Sequence, residues 1–130
     1  MTENKRNKPK TFRNFYGRLK GRGLRNLQQE ILNNQLNKLS IPSVSQYFNP
    51  DRKHIEVSDL FHDLASVNLE IGFGGGEHLV YQAKRNPNIG FIGCEPYINA
   101  VAMLAGKLSQ LDLENVRIYP GDVRDLFDVL

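Results

Sequence analysis

The chain has 130 residues, of which 40% are hydrophobic and 24% are charged, a composition typical of one globular domain at most. This composition excludes collagen-like and wholly disordered chains. The longest nearly uninterrupted apolar run, at 98–105, is far shorter than the roughly 20 residues that a membrane-spanning helix needs. No apolar segment typical of a secretory signal follows the basic N-terminus. We therefore expect a cytoplasmic protein with no membrane partner. The single cysteine, Cys94, excludes an internal disulfide and agrees with that compartment.

Charge is distributed unevenly along the chain. Residues 1–25 contain nine of the 17 Lys and Arg residues and one acid, which gives this segment a charge of +8. The rest of the chain has eight basic and 13 acidic residues, a charge of −5. A basic segment attached to a mildly acidic body is typical of proteins that bind a polyanion. Nucleic acid is therefore the first candidate partner.

The first predicted region, residues 1–23, is a basic flexible arm, because its Lys, Arg, Asn and Gly residues leave little apolar surface to bury. Its aromatic residues can stack on unpaired bases while neighbouring cations contact phosphates. Alternatively, the aromatic residues attach the arm to the body, and the sequence leaves both readings open. The candidate RNA-binding residues are Arg13, Arg18, Lys20, Arg22 and Arg25.

The second predicted region, residues 24–59, is an amphipathic helix followed by a linker. Apolar residues recur there at steps of three and four, which indicates one apolar stripe on a helix. The helix should end before Pro42, and residues 43–59 should form a connecting loop. The stripe consists of Leu24, Leu27, Ile31, Leu32, Leu36 and Leu39.

The third predicted region, residues 60–130, is a partial α/β domain. Strands and helices alternate in it, which favours a parallel sheet with right-handed crossovers. A helix from 96 to about 110 should contain Pro96 in its first turn, where a missing N–H costs nothing. The other predicted elements are strands at 67–71, 89–94 and 116–119 and a helix at 77–85.

The C-terminal end of the sequence suggests a fragment. A doubly wound sheet usually has five or more strands, whereas three are predicted here. The apolar run at 126–130 has no evident packing partner in the remaining sequence. We therefore expect an N-terminal part of a larger domain, with three strands covered on one face. Whether a second polypeptide completes the sheet, and which oligomeric state the chain adopts, stays open.

A glycine-rich turn follows the first predicted strand. Gly72, Gly74 and Gly76 permit a sharp turn and close approach of a ligand to the next helix, and Glu70 lies two residues before them. A dinucleotide fingerprint would require a third glycine where this chain has Glu77. The spacing suits a ligand without phosphate at this point, such as S-adenosylmethionine. A plain strand-to-helix turn is the alternative.

Two further acids follow the second and third predicted strands, at the edge where open α/β sheets bind ligands. Glu95 lies 23 residues after Gly72 and can accept hydrogen bonds from both ribose hydroxyls of an adenosine ligand. Asp122, followed by Val123, can accept from the exocyclic amine of adenine. Alternatively, Glu95 stabilises a helix N-terminus and Asp122 is a solvated turn residue.

Three strings of the sequence closely resemble the bacterial tRNA (guanine-N7-)-methyltransferase family. They are LEIGFGGGEH at 69–78, GFIGCEPY at 90–97 and NVRIYPGDV at 115–123. The resemblance implies the N-terminal half of a Rossmann-like methyltransferase sheet and methylation of a guanine in tRNA. It also implies that catalytic residues lie downstream of Leu130. The cofactor implied is S-adenosyl-L-methionine, bound by Glu70, Gly72, Gly74, Gly76, Glu95, Asp122 and Val123.

Two alternative functions stay open beside this resemblance: an inactive remnant that still binds RNA, and a methyltransferase acting on another RNA. No metal is expected, because the histidines share no metal-ligand spacing with Cys94. Cys94 itself is read as a small buried side chain rather than a nucleophile. The family string suggests that His78 helps to orient the start of the helix after the glycine turn. Tyr97 either flanks an adenosine or packs on its helix.

Overall fold

The computed structural model describes Gly23 and residues 26–130. Within that part, helices and strands alternate as the sequence predicts, and a short 3₁₀ turn at Val57–Asp59 interrupts the linker. The α/β class is therefore confirmed. The elements are α1 Asn26–Leu39, β1 Ser66–Ile71, α2 Glu77–Arg85, β2 Ile89–Cys94, α3 Ile98–Ser109, β3 Val116–Tyr119 and α4 Val123–Phe127.

The three strands form one parallel sheet in the order β1-β2-β3. In its register Glu70 lies opposite Gly93, and Cys94 lies opposite both Ile71 and Tyr119. All three strands therefore end at the same edge of the sheet. The glycine turn, Glu95 and Asp122 follow these ends in the chain, so the fold brings the candidate site residues to one edge.

The first face of the sheet is covered by α1, α2 and α3. Alternate residues of a strand point to opposite faces, so Phe91, Val116 and Ile118 point to this side and join a buried cluster with helix residues such as Leu79 and Leu104. Helix α3 packs against both α1 and α2 on this side of the sheet, and its buried residues are all apolar. Its buried residues are Ala100, Val101, Ala102, Leu104, Ala105 and Leu108.

The second face is also covered, which corrects the expectation of a sheet with one covered face. Ile92 and Cys94 point to this side and are buried by the linker and the C-terminal residues. Leu126 and Val129 are essentially inaccessible in this cluster. The apolar run at 126–130 therefore has packing partners, namely linker residues that precede β1 in the sequence. The linker, which in the structure is the whole segment 40–65 between α1 and β1, contributes Ile41, Val44, Leu60 and Phe61 to this cluster.

Two local predictions about helices were wrong. Leu27 is 66% exposed, so it does not belong to the buried stripe of α1, in which Leu32 and Leu39 are buried. Helix α3 begins at Ile98 after the extended residue Tyr97, so Pro96 precedes the helix instead of occupying its first turn. The amide of Glu95 still bonds the Tyr119 carbonyl, which extends the strand pairing up to Pro96. Leu24 lies outside the described residues.

Candidate cofactor site

The turn between β1 and α2 is built on glycines. Gly72, Gly74 and Gly76 have φ values of 71°, 59° and 87°, a region that other residues rarely adopt. The turn is joined to the sheet at its start, where the Gly72 amide donates to the Cys94 carbonyl at 2.8 Å. At its end the Gly76 amide donates to the Phe73 carbonyl at 3.0 Å. The sequence thus forms a tight loop at the carboxyl edge.

Phe73 fixes this loop from within. Its side chain is buried, although its neighbours in the chain are glycines. The ring packs against Gly93 of β2, where an added Cβ would come within 2.8 Å of it, and Leu79 of α2 closes the same space. A glycine in β2 therefore makes room for the aromatic residue that holds the glycine turn in place.

Glu70 points to the α2 side of β1. Its carboxylate oxygen Oε1 lies 3.3 Å from Nδ1 of His78, in the first turn of α2. The Glu70 side chain is 28% exposed, whereas His78 is 71% exposed. This contact agrees with the expected part of His78 in orienting the start of the helix, and it places the Glu70 carboxylate next to the glycine turn.

Glu95 lies directly beside the same turn. A Cβ built on Gly72 would be 3.7 Å from Oε2 of Glu95, so the carboxylate and the first glycine are neighbours. Partial burial raises the pKa of Glu95 above its usual value, since desolvation disfavours the charged form. Glu95 lies outside α3, which begins three residues later, so it is not in the first turn of that helix. A carboxylate beside an open turn can accept hydrogen bonds from vicinal hydroxyls.

The Asp122 carboxylate is already hydrogen-bonded within the chain, which the sequence did not predict. It is the N-cap of α4, where its Oδ1 accepts from the Arg124 amide at 2.9 Å. The Arg124 guanidinium also donates to this carboxylate, with an Nη2 to Oδ2 distance of 2.6 Å. The side chain is only 10% exposed, so it is not a solvated turn residue. Val123 follows it as the first residue of α4.

Cys94 directly precedes Glu95 in the chain and contacts Gly121, the residue before Asp122. Its thiol donates to the Gly121 carbonyl at 3.2 Å. Burial, followed by the charges of Asp122 and Glu95, raises its pKa from 9.0 to about 12. The thiol therefore stays protonated at neutral pH, which agrees with a packing role. Both carboxylates act on one sulfur atom, so they share this region of the carboxyl edge.

Comparisons with known proteins identify the family of the chain. Residues 65–130 match the model of a protein family described as "Putative methyltransferase", which covers just over half of the chain. The chain belongs to this methyltransferase family. A methyltransferase needs a methyl donor, and the matched residues include the glycine turn, Glu95 and Asp122.

Curated relatives of this chain are named tRNA (guanine-N(7)-)-methyltransferase, the family that the three strings resemble. The relative from Jannaschia sp. strain CCS1 is 52% identical over the whole chain, which covers 54% of that protein. The relative from Ruegeria pomeroyi is 55% identical over 91% of the chain and 49% of that protein. That from Agrobacterium fabrum is 40% identical over the whole chain and 53% of that protein. The chain spans about half the length of the curated relatives it matches.

Two clefts in the described part of the chain lie away from the glycine turn. One, of about 820 Å³, lies at the opposite end of the strands, where Asp112, Asn115 and Pro87 precede β3 and β2. The other, of about 570 Å³, lies beside Arg117 and the linker. They share the partly buried Arg117 guanidinium, which lies 5.1 Å above the ring of Phe61. We therefore assign the candidate site to the carboxyl edge, on the basis of the sequence motifs and the acidic side chains there, and not to either cleft.

Sequence reasoning missed the part that α3 has in this site. Lys107 Nζ donates to the Gly75 carbonyl at 2.8 Å and lies 3.4 Å from Oε1 of Glu77. A lysine in the last turn of a helix is common, because it complements the helix dipole, so Lys107 carried no separate signal. The described residues contain no group of three or more metal-ligating side chains and no helix long and apolar enough to cross a membrane. The candidate RNA-binding residues of the arm lie outside the described part of the chain.

Proposed function

We propose that this chain binds S-adenosylmethionine for the transfer of a methyl group to N7 of a guanine in tRNA. The observation that carries the proposal is the position of Glu95, whose carboxylate lies beside Gly72 at the end of the sheet. The names of the curated relatives support the reaction and the substrate. We further propose that the protein acts in the cytoplasm.

The residues present fit such a ligand. A Cβ built on Gly74 would meet no other atom within 4 Å, so the outside of the turn is open to a nucleoside. Glu95 would accept from the ribose hydroxyls, and Glu70 would face the ammonium group of the methionine part. The Asp122 carboxylate already accepts from Arg124, so the amine of adenine would have to share that carboxylate. Gly72, Gly76 and Val123 would contribute backbone contacts.

The reaction demands little proton transfer. When bound, S-adenosylmethionine supplies an electrophilic methyl group on a sulfonium. Guanine N7 carries a lone pair, so no residue of this chain has to remove a proton from it. The part of this chain would be to hold donor and acceptor in line and to exclude water. The basic arm would position tRNA through phosphate contacts that do not read its sequence.

Isothermal titration with S-adenosylhomocysteine tests the cofactor half of the proposal. We expect Glu95→Ala to weaken binding about tenfold or more, because hydrogen bonds to a charged group contribute about 1.5–3 kcal/mol. Glu114→Ala is the control, since Glu114 precedes β3 at the opposite end of the sheet. Equal affinity of wild type and Glu95→Ala would contradict the proposed site.

Incubation with labelled S-adenosylmethionine and unmodified tRNA tests the reaction. Label at guanine N7 would contradict the alternative of an inactive remnant. Binding of tRNA without incorporation would favour the RNA-binding alternative, and label in another RNA would change the substrate. For the arm, we expect tRNA affinity to fall steeply with salt, with a smaller slope after replacement of Arg13, Arg18, Lys20, Arg22 and Arg25 by alanine.

A further inference from the structure

The Glu77 carboxylate covers the outside of the glycine turn at Gly75. A Cβ built on Gly75 would come within 2.8 Å of both carboxylate oxygens of Glu77. Lys107 of α3 holds the carboxylate there, 3.4 Å from its Oε1, while also donating to the Gly75 carbonyl. The Glu77 side chain is 75% exposed, so its charge faces the solvent from which a ligand would approach.

The Glu77 carboxylate lies at the N-terminus of α2, and a helix N-terminus normally attracts anions. The N-terminus of a helix presents free backbone N–H groups and a partial positive charge, which together bind phosphate in many nucleotide sites. Here Gly76, the N-cap of α2, offers no side chain to these groups. Instead, a backbone hydrogen bond at Glu77 and then the charge of Lys107 lower the pKa of the Glu77 carboxyl. The helix start therefore carries its own anion at neutral pH.

We propose that Glu77, held over Gly75 by Lys107, is a specificity-determining residue that repels phosphate-bearing nucleotides from the glycine turn. The inference rests on the proposed function, in which this turn binds a nucleoside ligand. S-adenosylmethionine carries a sulfonium and an ammonium beside its one carboxylate, whereas ADP and dinucleotides place two or more negative charges at such a turn. A fixed carboxylate therefore costs the phosphate ligands more than the methyl donor.

Titration of wild type and Glu77→Gln with two probes, S-adenosylhomocysteine and ADP, tests this inference. The glutamine keeps the shape of the side chain and removes its charge. We expect ADP to bind Glu77→Gln about tenfold more tightly at low salt, with S-adenosylhomocysteine changed by less than about threefold. The gain for ADP should shrink at higher salt, because exposed charges are screened. A merely structural role would not produce this salt dependence.

Two further variants test whether the change in ADP affinity is due to the position of the Glu77 carboxylate. Glu30→Gln removes an equal charge from the surface of α1 and should leave the preference for S-adenosylhomocysteine over ADP unchanged. Gly75→Ala should improve ADP binding, because its Cβ displaces the flexible Glu77 side chain while the backbone φ at Gly75 is not positive.

The outcomes separate this inference from the proposed function. Glu77→Gln that leaves ADP affinity unchanged, or that shifts both probes equally, overturns the inference. A wild type that binds S-adenosylhomocysteine as expected would at the same time keep the proposed cofactor. Conversely, a wild type that binds neither probe, with ADP binding gained in Glu77→Gln, would support the inference and contradict the proposed cofactor.

Discussion

Leu104 of α3 lies directly against Gly76, the last glycine of the turn. A Cβ built on Gly76 would come within 2.7 Å of Cδ1 of Leu104, a side chain that is fully buried. Gly76 is therefore required for two separate reasons, its left-handed backbone with φ 87° and its contact with the core. The turn at the candidate site and the packing of α3 depend on one another through this pair.

We expect Gly76→Ala to lower the free energy of unfolding by about 1–3 kcal/mol, because alanine in a left-handed conformation is strained and its Cβ overlaps Leu104. Urea denaturation followed by circular dichroism measures this change. Gly106→Ala is the matched control within α3, where a Cβ would meet no atom within 4 Å. That variant should gain about 0.5–1 kcal/mol from helix propensity. Equal effects of the two variants would contradict this explanation.

The buried thiol of Cys94 leads to a second prediction. Its pKa of about 12 means that little thiolate exists in the folded chain at pH 8. We expect iodoacetamide to modify the native chain far more slowly than the urea-unfolded chain, as measured by mass spectrometry. Cys94 is the single cysteine, so one mass increment reports it. Native alkylation as fast as that of the unfolded chain would contradict the burial.

The same raised pKa gives stability a pH dependence. The folded thiol keeps its proton up to about pH 12, whereas the unfolded thiol loses it near pH 9. The contribution is thus fully present below about pH 9 and is lost as the pH rises towards 12. Cys94→Ala should lose less stability over this interval than wild type. Tyr119, whose pKa is raised mainly by burial, titrates in both chains, so most of its contribution is common to the two.

The sequence predicted β2, β3 and α2 to the residue, because strong local signals bound them. Ile89–Cys94 is an apolar run between turn residues, and Glu77–Arg85 lies between the glycine turn and Pro87. The glycine turn was equally clear from the sequence, since four glycines in the five residues 72–76 have few other uses. The proximity of Glu95 to Gly72 followed from parallel strand order alone.

Long-range packing could not be predicted in this way. Burial of Leu126 and Val129 depends on linker residues more than 60 positions earlier, and no periodicity connects the two segments. The sequence predicted Asp122 as an acceptor for adenine or as a solvated turn residue, because it does not show that Arg124 folds back onto this carboxylate. The contacts of Lys107 with Gly75 and Glu77 could not be predicted for the same reason. Each of these contacts depends on how elements pack, a property that a single sequence pattern does not encode.

A fourth prediction concerns Asn115, a buried polar residue just before β3. Its Nδ2 donates to three carbonyls, those of Ala83 at 3.0 Å, Asn86 at 3.1 Å and Ile89 at 2.9 Å. It thus joins the end of α2 to the starts of β2 and β3. We expect Asn115→Ala to cost about 1–3 kcal/mol of unfolding free energy, because buried carbonyls lose their donor. Asn33→Ala, on the exposed surface of α1, should change stability by no more than about 0.5 kcal/mol in urea denaturation.

The C-terminal helix provides the last prediction, through two adjacent side chains in opposite environments. Leu126 is 0% exposed among Ile92, Cys94 and linker residues, whereas Phe127 is 61% exposed. We expect Leu126→Ala to lower the free energy of unfolding by about 2–5 kcal/mol through the cavity it leaves. Phe127→Ala should change it by less than about 0.5 kcal/mol, because its ring packs little. Thermal denaturation of the two variants checks the difference. A Leu126→Ala chain as stable as wild type would show that the second face of the sheet is not closed by α4, since a packed leucine cannot be removed without loss of its contacts.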